Sequence, residues 1–423
     1  MKQSQVALEA IRKKLVGKKL TYKEIYAVMD QIAKDRLGDV LTTYFAASGY
    51  TKGYTNEELY FLTRAMVETG EQLHFKGIVA DKHSIGGMPG TRTTLIVVPI
   101  IAAAGFKIPK SSSRAITTPG GTADVMEVLA PVEFTREQIY DIIKTVGGCI
   151  VWGGTFNIAP ADDEIIKIEE PLLFESYDKI VISIMAKKVA FGTNHVVIDL
   201  PYGKTMKVRR EADAETLKEK FDYVAKKFKM KVRIVLHKTD EPAGRGIGPV
   251  LEAREALRVL EQKSEKALDL QERSLDLAGV LLDLCLKDAP VDLQKKIEEE
   301  YGNGREWARH LLECGEALVK FKEIIKAQGG NPHVSSDSLR LARFHMEILS
   351  RRSSIISEID NKNLTIIARL LGAPTAKGAG VYLNKKIGDS TKNGSTVITM
   401  YANNRHLLSE AKETLASMPI YKY

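Results

Sequence analysis

The sequence predicts an α/β protein built from a helical lobe and an α/β sheet lobe, followed by a small C-terminal α+β subdomain. Three observations predict it. Apolar residues recur at helical spacing through the first seventy positions. From about Leu73 short apolar runs alternate with glycine loops and helices, the pattern of a largely parallel sheet. After about Ser336 short strand-like runs return with Gly-Asp turns between them.

In the first segment Val6, Leu8, Ile11, Leu15 and Val16 form one stripe, which Gly17 stops. Thr21 opens the next helix with Glu24 three residues on, a capping box, and Thr55 with Glu58 repeats it before LYFLTRAMVE. Amphipathic helices on short links make a small bundle. FKGIVAD (75–81) then reads as a strand, KHSIGGMPG (82–90) as a loop, and the apolar run near residues 95–104 as a buried helix. FKIPKSSS (106–113) is a second strand, followed by a loop and the helix TADVMEVL. Thr135 and Gln138 cap another helix that ends at Gly147 and Gly148. Residues 161–192 are helical again, an insertion expected to fold back onto the first bundle. HVVIDL and KVRIVLH are further strands, each leading to a helix, at 211–229 and 249–262. The division expected is 1–72 with 160–192 for the helical lobe, 73–159 with 193–335 for the sheet lobe, and 336–423 for the C-terminal subdomain. The strand run 378–402 within that subdomain suggests a small barrel-like module.

Composition narrows the function classes. The 423 residues carry 62 Lys and Arg against 54 Asp and Glu, a net +8. That is a mild excess over a long chain, so it asks for anionic ligands without requiring nucleic acid. The basic pairs Lys226-Lys227 and Lys385-Lys386 lack the interleaved aromatics of an RNA surface. Cys149, Cys285 and Cys314 are far apart and in no C-x-x-C pair, as expected in a reducing cytosol. MKQSQVALEAIRKK has no apolar signal core, and LIVVPIIAAAGF (95–106) is too short to span a bilayer and contains Pro99. A cytoplasmic protein with neither nucleic-acid nor membrane partners is expected. The eight histidines show no ligand spacing, so no metal is expected.

Two loops carry chemistry. In residues 110–127, KSSSRAITTPGGTADVME, three serines, Arg114, two threonines and Gly120-Gly121-Thr122 lie between a strand and a helix. The glycines allow close backbone approach, and Thr122 opens a helix whose free N–H groups and dipole favour an anion. Residues 82–90 add a lysine, a hydroxyl and flexible glycines at another strand exit, where ligands gather in open α/β sheets. Two weaker signals are set aside. Gly203-Lys204-Thr205 lacks the first glycine of a Walker A loop, Ile198 standing there, and residues 244–248, GRGIG, depart from G-x-G-x-x-G.

KHSIGG together with SSRAITTPGGTADVME resembles the signature of the thymidine and pyrimidine-nucleoside phosphorylases, and the order of segments is similar over the whole chain. The resemblance implies a nucleoside phosphorylase type II-like fold with its active site between the lobes. It places phosphate on Lys82, Ser84, Thr94, Ser112 and Thr122, and base and sugar on His83, Ser183 and Lys187. Where thymidine phosphorylases hold the pyrimidine with an arginine, this chain has Ile168, which cannot donate to a carbonyl. That departure, with the longer first loop, resembles the archaeal branch, the AMP phosphorylases. Their nucleotide site would fall on Gly87, Ser113, Arg114, Ala115, Ile116, Thr117, Thr118, Thr122, Ser183 and Lys207. Glu175 would be the proton donor, with His83 the alternative. The implied reaction is phosphorolysis of AMP, with CMP and UMP, to free base and ribose 1,5-bisphosphate. No cofactor is implied; inorganic phosphate is the co-substrate, and a homodimer or larger homo-oligomer is expected. Archaeal members carry a domain before the helical lobe, so a chain lacking it is also expected. Three other readings stay open: a pyrimidine-nucleoside phosphorylase, an anthranilate phosphoribosyltransferase on the same fold, and a non-catalytic nucleotide-binding protein.

Overall fold

The computed structural model describes residues 3–86, 88–115, 118–154, 157–172 and 176–423. Helices α1 (Gln3–Leu15), α2 (Tyr22–Ala33), α3 (Asp39–Lys52) and α4 (Asn56–Glu68) open the chain. Both expected capping boxes form, at Thr21 with Glu24 and at Thr55 with Glu58. Glu58 does more than cap. Its carboxylate is buried and also accepts from Lys14 Nζ at 2.9 Å and from the Leu20 amide at 3.1 Å, tying α1, α2 and α4 together.

The sheet lobe follows with β1 (Ala80–Ser84), α5 (Thr94–Ala103), β2 (Ile108–Ser112), α6 (Thr122–Met126), α7 (Arg136–Val146) and β3 (Gly148–Trp152). The first strand begins later than its apolar run suggests. Regular pairing starts at Ala80 against His195, so Lys82 and His83 are strand residues and not loop residues. Next come α8 (Pro160–Leu172) and α9 (Tyr177–Ala190), which pack on α2, α3 and α4 as expected of a returning insertion. Then come β4 (His195–Tyr202), α10 (Glu211–Lys227) and β5 (Lys231–Lys238). All named pairings, β1 with β4, β4 with β5 and β2 with β3, are parallel. A parallel bridge between Val79 and Lys107 joins the two groups, so the strands run β5-β4-β1-β2-β3 with a splay between β1 and β2.

The core runs across the lobes. On β4, Val196, Ile198 and Leu200 face a cluster containing Ile25, Val28, Leu59, Val181 and Met185, together with Leu217 and Phe221 of α10. Val197 points the other way, into the cluster that holds α5 and, further along the chain, residues 268–286. Period-two alternation on a sheet covered on both faces gives this result, and it makes β4 and α10 part of the helical lobe's core.

The lobe continues through β6 (Gly246–Ile247), α11 (Pro249–Leu260), α12 (Leu268–Leu286), α13 (Val291–Tyr301), α14 (Gly304–Glu313) and α15 (Glu316–Ala327). The C-terminal subdomain holds β7 (Phe344–Leu349), β8 (Ser354–Ile355), β9 (Glu358–Ile359), α16 (Asn361–Leu370), β10 (Gly380–Leu383), β11 (Ser390–Thr391), β12 (Thr396–Ala402), α17 (Arg405–Ser417) and β13 (Tyr421–Lys422). It is not the barrel-like module expected. It is an open antiparallel sheet, β6-β10-β12-β7, with α16 and α17 packed on its apolar face. Its edge strand β6 comes from the sheet lobe, and a Cβ at Gly380 would meet the Ile247 carbonyl oxygen at 2.0 Å. Only glycine permits that join. Among the described residues no helix is long and apolar enough to cross a membrane.

Glu58→Ala leaves Lys14 buried without a counter-charge and two amides without an acceptor. Loss of about 3–5 kcal/mol is expected, read by urea unfolding.

Candidate active site

Lys82 leaves β1 inside the protein, 2% exposed, and burial pulls its ammonium down to a pKa of about 8, against the attraction of Asp199. Three hydroxyls accept from its Nζ: Ser84 next along β1, Thr93 at 2.6 Å and Thr94 at 3.4 Å at the start of α5. Ser84 Oγ then donates to Asp199 Oδ2 at 2.7 Å. Thr93 and Thr94 keep their own protons. A hydroxyl that accepts from an ammonium still has its own proton to give, so the two threonines at a helix N-terminus are suited to donate to an anion.

Asp199 is the counter-charge of this corner. Burial would raise its pKa, but His237 Nδ1 at 2.8 Å, Arg273 at 3.1 Å and Lys82 hold it well below the usual carboxylate range. Parallel register places it there: Ser84 is opposite Asp199 across β1 and β4, and His237 comes from β5 beyond.

The second loop runs from β2 to α6. Asp124 shapes it, accepting from the amides of Ala115 at 2.6 Å and Gly121 at 2.9 Å. A Cβ on Gly121 would lie 2.5 Å from the Ser113 carbonyl oxygen, so the tight return needs glycine. Ser112 Oγ is buried and has no hydrogen-bond partner among the described residues. A buried hydroxyl left unpaired at the end of β2 has room for a partner, a water or a ligand oxygen. Arg92 joins the two loops, reaching Thr122 Oγ1 at 3.1 Å and the Gly120 carbonyl at 2.7 Å.

His83 is half-buried on β1. Burial first, and then Lys188, Lys110, Lys82 and Lys187, push its pKa well below the ordinary imidazole range. It is therefore a neutral hydrogen-bonding group at neutral pH and not a charged acid. Lys188 is paired with Asp81 at 2.7 Å beneath it.

Ser183 and Lys187 meet across one turn of α9 on Asp162, a fully buried carboxylate from the start of α8. Ser183 Oγ donates at 2.6 Å, Lys187 Nζ at 2.8 Å and Lys179 Nζ at 2.6 Å. Burial opposes the charge on Asp162, but the two lysines outweigh it and keep the group ionised. The pairing keeps Lys187 protonated despite its own burial.

Other expected site residues stand elsewhere. Arg114, expected in the nucleotide site, is held by carboxylates. Its guanidinium is taken by Glu127 at 2.8 and 2.9 Å, by Glu133 at 2.8 Å and more loosely by Asp124, and it lies over the Trp152 ring. Lys377 of the C-terminal subdomain joins the same carboxylates, 2.8 Å from Glu127 and 3.4 Å from Asp124. Thr118 Oγ1 donates back to the Gly120 carbonyl at 3.2 Å. Lys207, partly buried after β4, has its pKa lowered by that burial. Ser113 contributes its carbonyl to the Ala123 amide at 3.2 Å. Gly87, Ile116, Thr117 and Glu175 lie outside the described residues.

The reading from residues alone missed Arg92, Thr93, Asp162, Asp199 and Lys377. Arg92 and Thr93 stood inside the first loop run and could have been found there. Asp162, Asp199 and Lys377 carry no local signal, since their partners are distant in sequence. Exposed His310, Cys314 and Glu316 cluster at the α14–α15 junction, away from the loops. A cavity of about 420 Å3 between α11 and the C-terminal sheet is lined by Arg254, Arg258, Tyr382 and Tyr401 among others, and includes none of the loop residues.

Comparison with known proteins places the fold. Residues 8–70 match the helical bundle domain of a glycosyl transferase family, residues 76–318 its a/b domain, and residues 355–420 the pyrimidine nucleoside phosphorylase C-terminal domain. The chain is 43% identical over 96% of its length to an AMP phosphorylase of Methanosarcina acetivorans, covering 78% of that protein. It is 40% identical over 96% of its length to AMP phosphorylase 1 of Archaeoglobus fulgidus, covering 78% of it. A relative from Legionella pneumophila, 39% identical over 97% of this chain and 76% of its own length, carries a provisional name among thymidine phosphorylases. The crystal structure of anthranilate phosphoribosyltransferase from Thermus thermophilus superposes with a TM-score of 0.58 over 76% of this chain and 99% of that one. At 18% identity that likeness shows the fold. With its two domains and its C-terminal module all matched, the chain belongs to the glycosyl transferase family, as one of the phosphorylases within it.

Proposed function

We propose that this protein cleaves nucleoside 5′-monophosphates with inorganic phosphate, AMP first and CMP and UMP with it, giving free base and ribose 1,5-bisphosphate. The observation that carries the reading is the buried Lys82 ammonium with its ring of hydroxyls, built to hold phosphate without taking its proton. A phosphate oxygen attacks C1′ as the bond from C1′ to the base nitrogen breaks, through a transition state positive at the ribose. Oriented donors hold the nucleophile, while Lys82 supplies one charge and leaves the phosphate anionic.

The departing base takes the bonding electrons and needs a proton. His83 is neutral, so it serves as a hydrogen-bond partner, and the proton falls to Glu175. Ser183 and Lys187, fixed on Asp162, are assigned to the sugar and base. Ile168, on α8 six residues after Asp162, offers a pyrimidine carbonyl no donor, which favours this reading over thymidine phosphorolysis. Since Arg114 is engaged by carboxylates, the 5′-phosphate is assigned to the amides and hydroxyls of residues 113–118, with Thr122 and Lys207. No metal or organic cofactor is invoked. A cytoplasmic location and a homodimer or larger homo-oligomer go with the family reading.

Base release from a panel of nucleosides and nucleotides, with and without phosphate, should depend on phosphate and favour AMP over adenosine. Equal turnover of adenosine and AMP would assign the chain to nucleoside phosphorolysis instead. The KM for phosphate should rise above about pH 8, where Lys82 loses its proton. Lys82→Gln should bind phosphate poorly throughout and lose that alkaline limb. Glu175→Gln should lower kcat on AMP by roughly 100-fold or more with little change in KM.

A further inference from the structure

Arg92 is set between the two loops and is spoken for on every side. Its Nε donates to Glu252 Oε2 at 2.6 Å, and Nη2 touches the same carboxylate and donates to the Gly120 carbonyl at 2.7 Å. Nη1 donates to Thr122 Oγ1 at 3.1 Å. Glu252, on α11, has a fully buried side chain and also accepts the Gly248 amide at 3.1 Å. Gly120 packs so closely that a Cβ there would lie 3.3 Å from Glu252 Oε1. A guanidinium can serve three acceptors in three directions, which an ammonium on a flexible stem cannot do with the same geometry.

The contact with Thr122 has a chemical consequence. A threonine hydroxyl has one proton, and Arg92 occupies its oxygen as acceptor, so the proton must go to some other group. Thr122 is half-exposed at the mouth of the Gly120-Gly121 turn, so that proton is open to an incoming anion. The same logic governs Thr93 and Thr94 on the other side, where Lys82 occupies their oxygens.

We infer that Arg92, anchored by Glu252, is a positioning residue for the anion site: it holds the Gly120 carbonyl and aims the Thr122 proton at bound phosphate. This rests on the proposed function, with Thr122 taken, as the family resemblance implies, to hold inorganic phosphate beside Lys82, Ser84, Thr94 and Ser112. Arg92 acts through the loop and not as a free counter-charge. It also links α11, and with it the seat of the C-terminal sheet, to the geometry of the phosphate loop.

The test is titration calorimetry with inorganic phosphate alone, paired with KM and kcat for phosphate in the base-release assay. Arg92→Gln on its own strands a buried carboxylate and can fail to fold. Arg92→Gln with Glu252→Gln removes both charges, and circular dichroism and Tm report whether it folds. In that folded double variant phosphate affinity should fall about tenfold or more, with KM rising in step and kcat changing less. Thr122→Val should cost a similar factor, and adding it to the double variant should cost little further, because both act through one hydroxyl. Arg92→Lys should recover only part of the affinity. Wild-type phosphate affinity in the folded double variant, or losses that multiply independently, would overturn the inference. A wild-type protein whose phosphate affinity depends on Arg92 and Thr122 as stated, yet which releases no base, would overturn the proposed reaction while leaving this role standing.

Discussion

Most of the site depends on a lysine ammonium kept out of water. Burying Lys82 is unfavourable for the charge, and the structure answers with three hydroxyl oxygens and the carboxylate of Asp199. Asp199 in turn stays ionised because His237 and Arg273 face it. These groups come from β1, α5, β4, β5 and α12, so the charge balance exists only once the parallel sheet has formed. An open α/β sheet collects its ligand groups at the carboxyl ends of its strands, and here that rule puts the lysine, its counter-charge and the helix N-terminus of α5 together.

The glycine loop is supported in a different way. Its curvature is set by Asp124, which binds two of the loop's own amides, and by Gly121, which leaves room for the chain to return. Its position is set from outside, by Arg92 and Glu252 on one side and by Lys377 on the other. The C-terminal subdomain is thus joined to the loop through an ion pair as well as through the shared edge strand β6. The helical lobe contributes a third buried charge cluster, Asp162 with Lys179, Ser183 and Lys187. Each of these three clusters pairs a buried carboxylate with a cation, which is how charge is kept in an interior without stranding either partner.

The legible parts of the sequence were those decided by short-range physics. Thr21 with Glu24, Thr55 with Glu58 and Thr135 with Gln138 cap helices where the spacing said they would, because a cap needs only three residues of chain. The strand–loop–helix alternation and the two glycine loops were legible for the same reason. The first strand was misplaced by several residues because its apolar run extends before the point where a neighbouring strand is available to pair. The ion pairs of Arg114 were not legible because its partners Glu127 and Glu133 stand across the α6 turn and beyond, and a cation in a hydroxyl-rich loop looks free until they are in place.

By itself the sequence determined the α/β character, the helical lobe with its returning insertion, and the two loops in which an anion can be held. Those properties follow from periodicity, capping and glycine, each acting within a few residues. Only the tertiary structure decided which charges remain available. It gave Arg114 to three carboxylates, made Arg92 the bridge between loops, left His83 neutral among four lysines, and supplied Asp199 and Asp162 from elements far along the chain. Charge availability is a property of pairing and burial, and both are settled only when distant segments pack against each other.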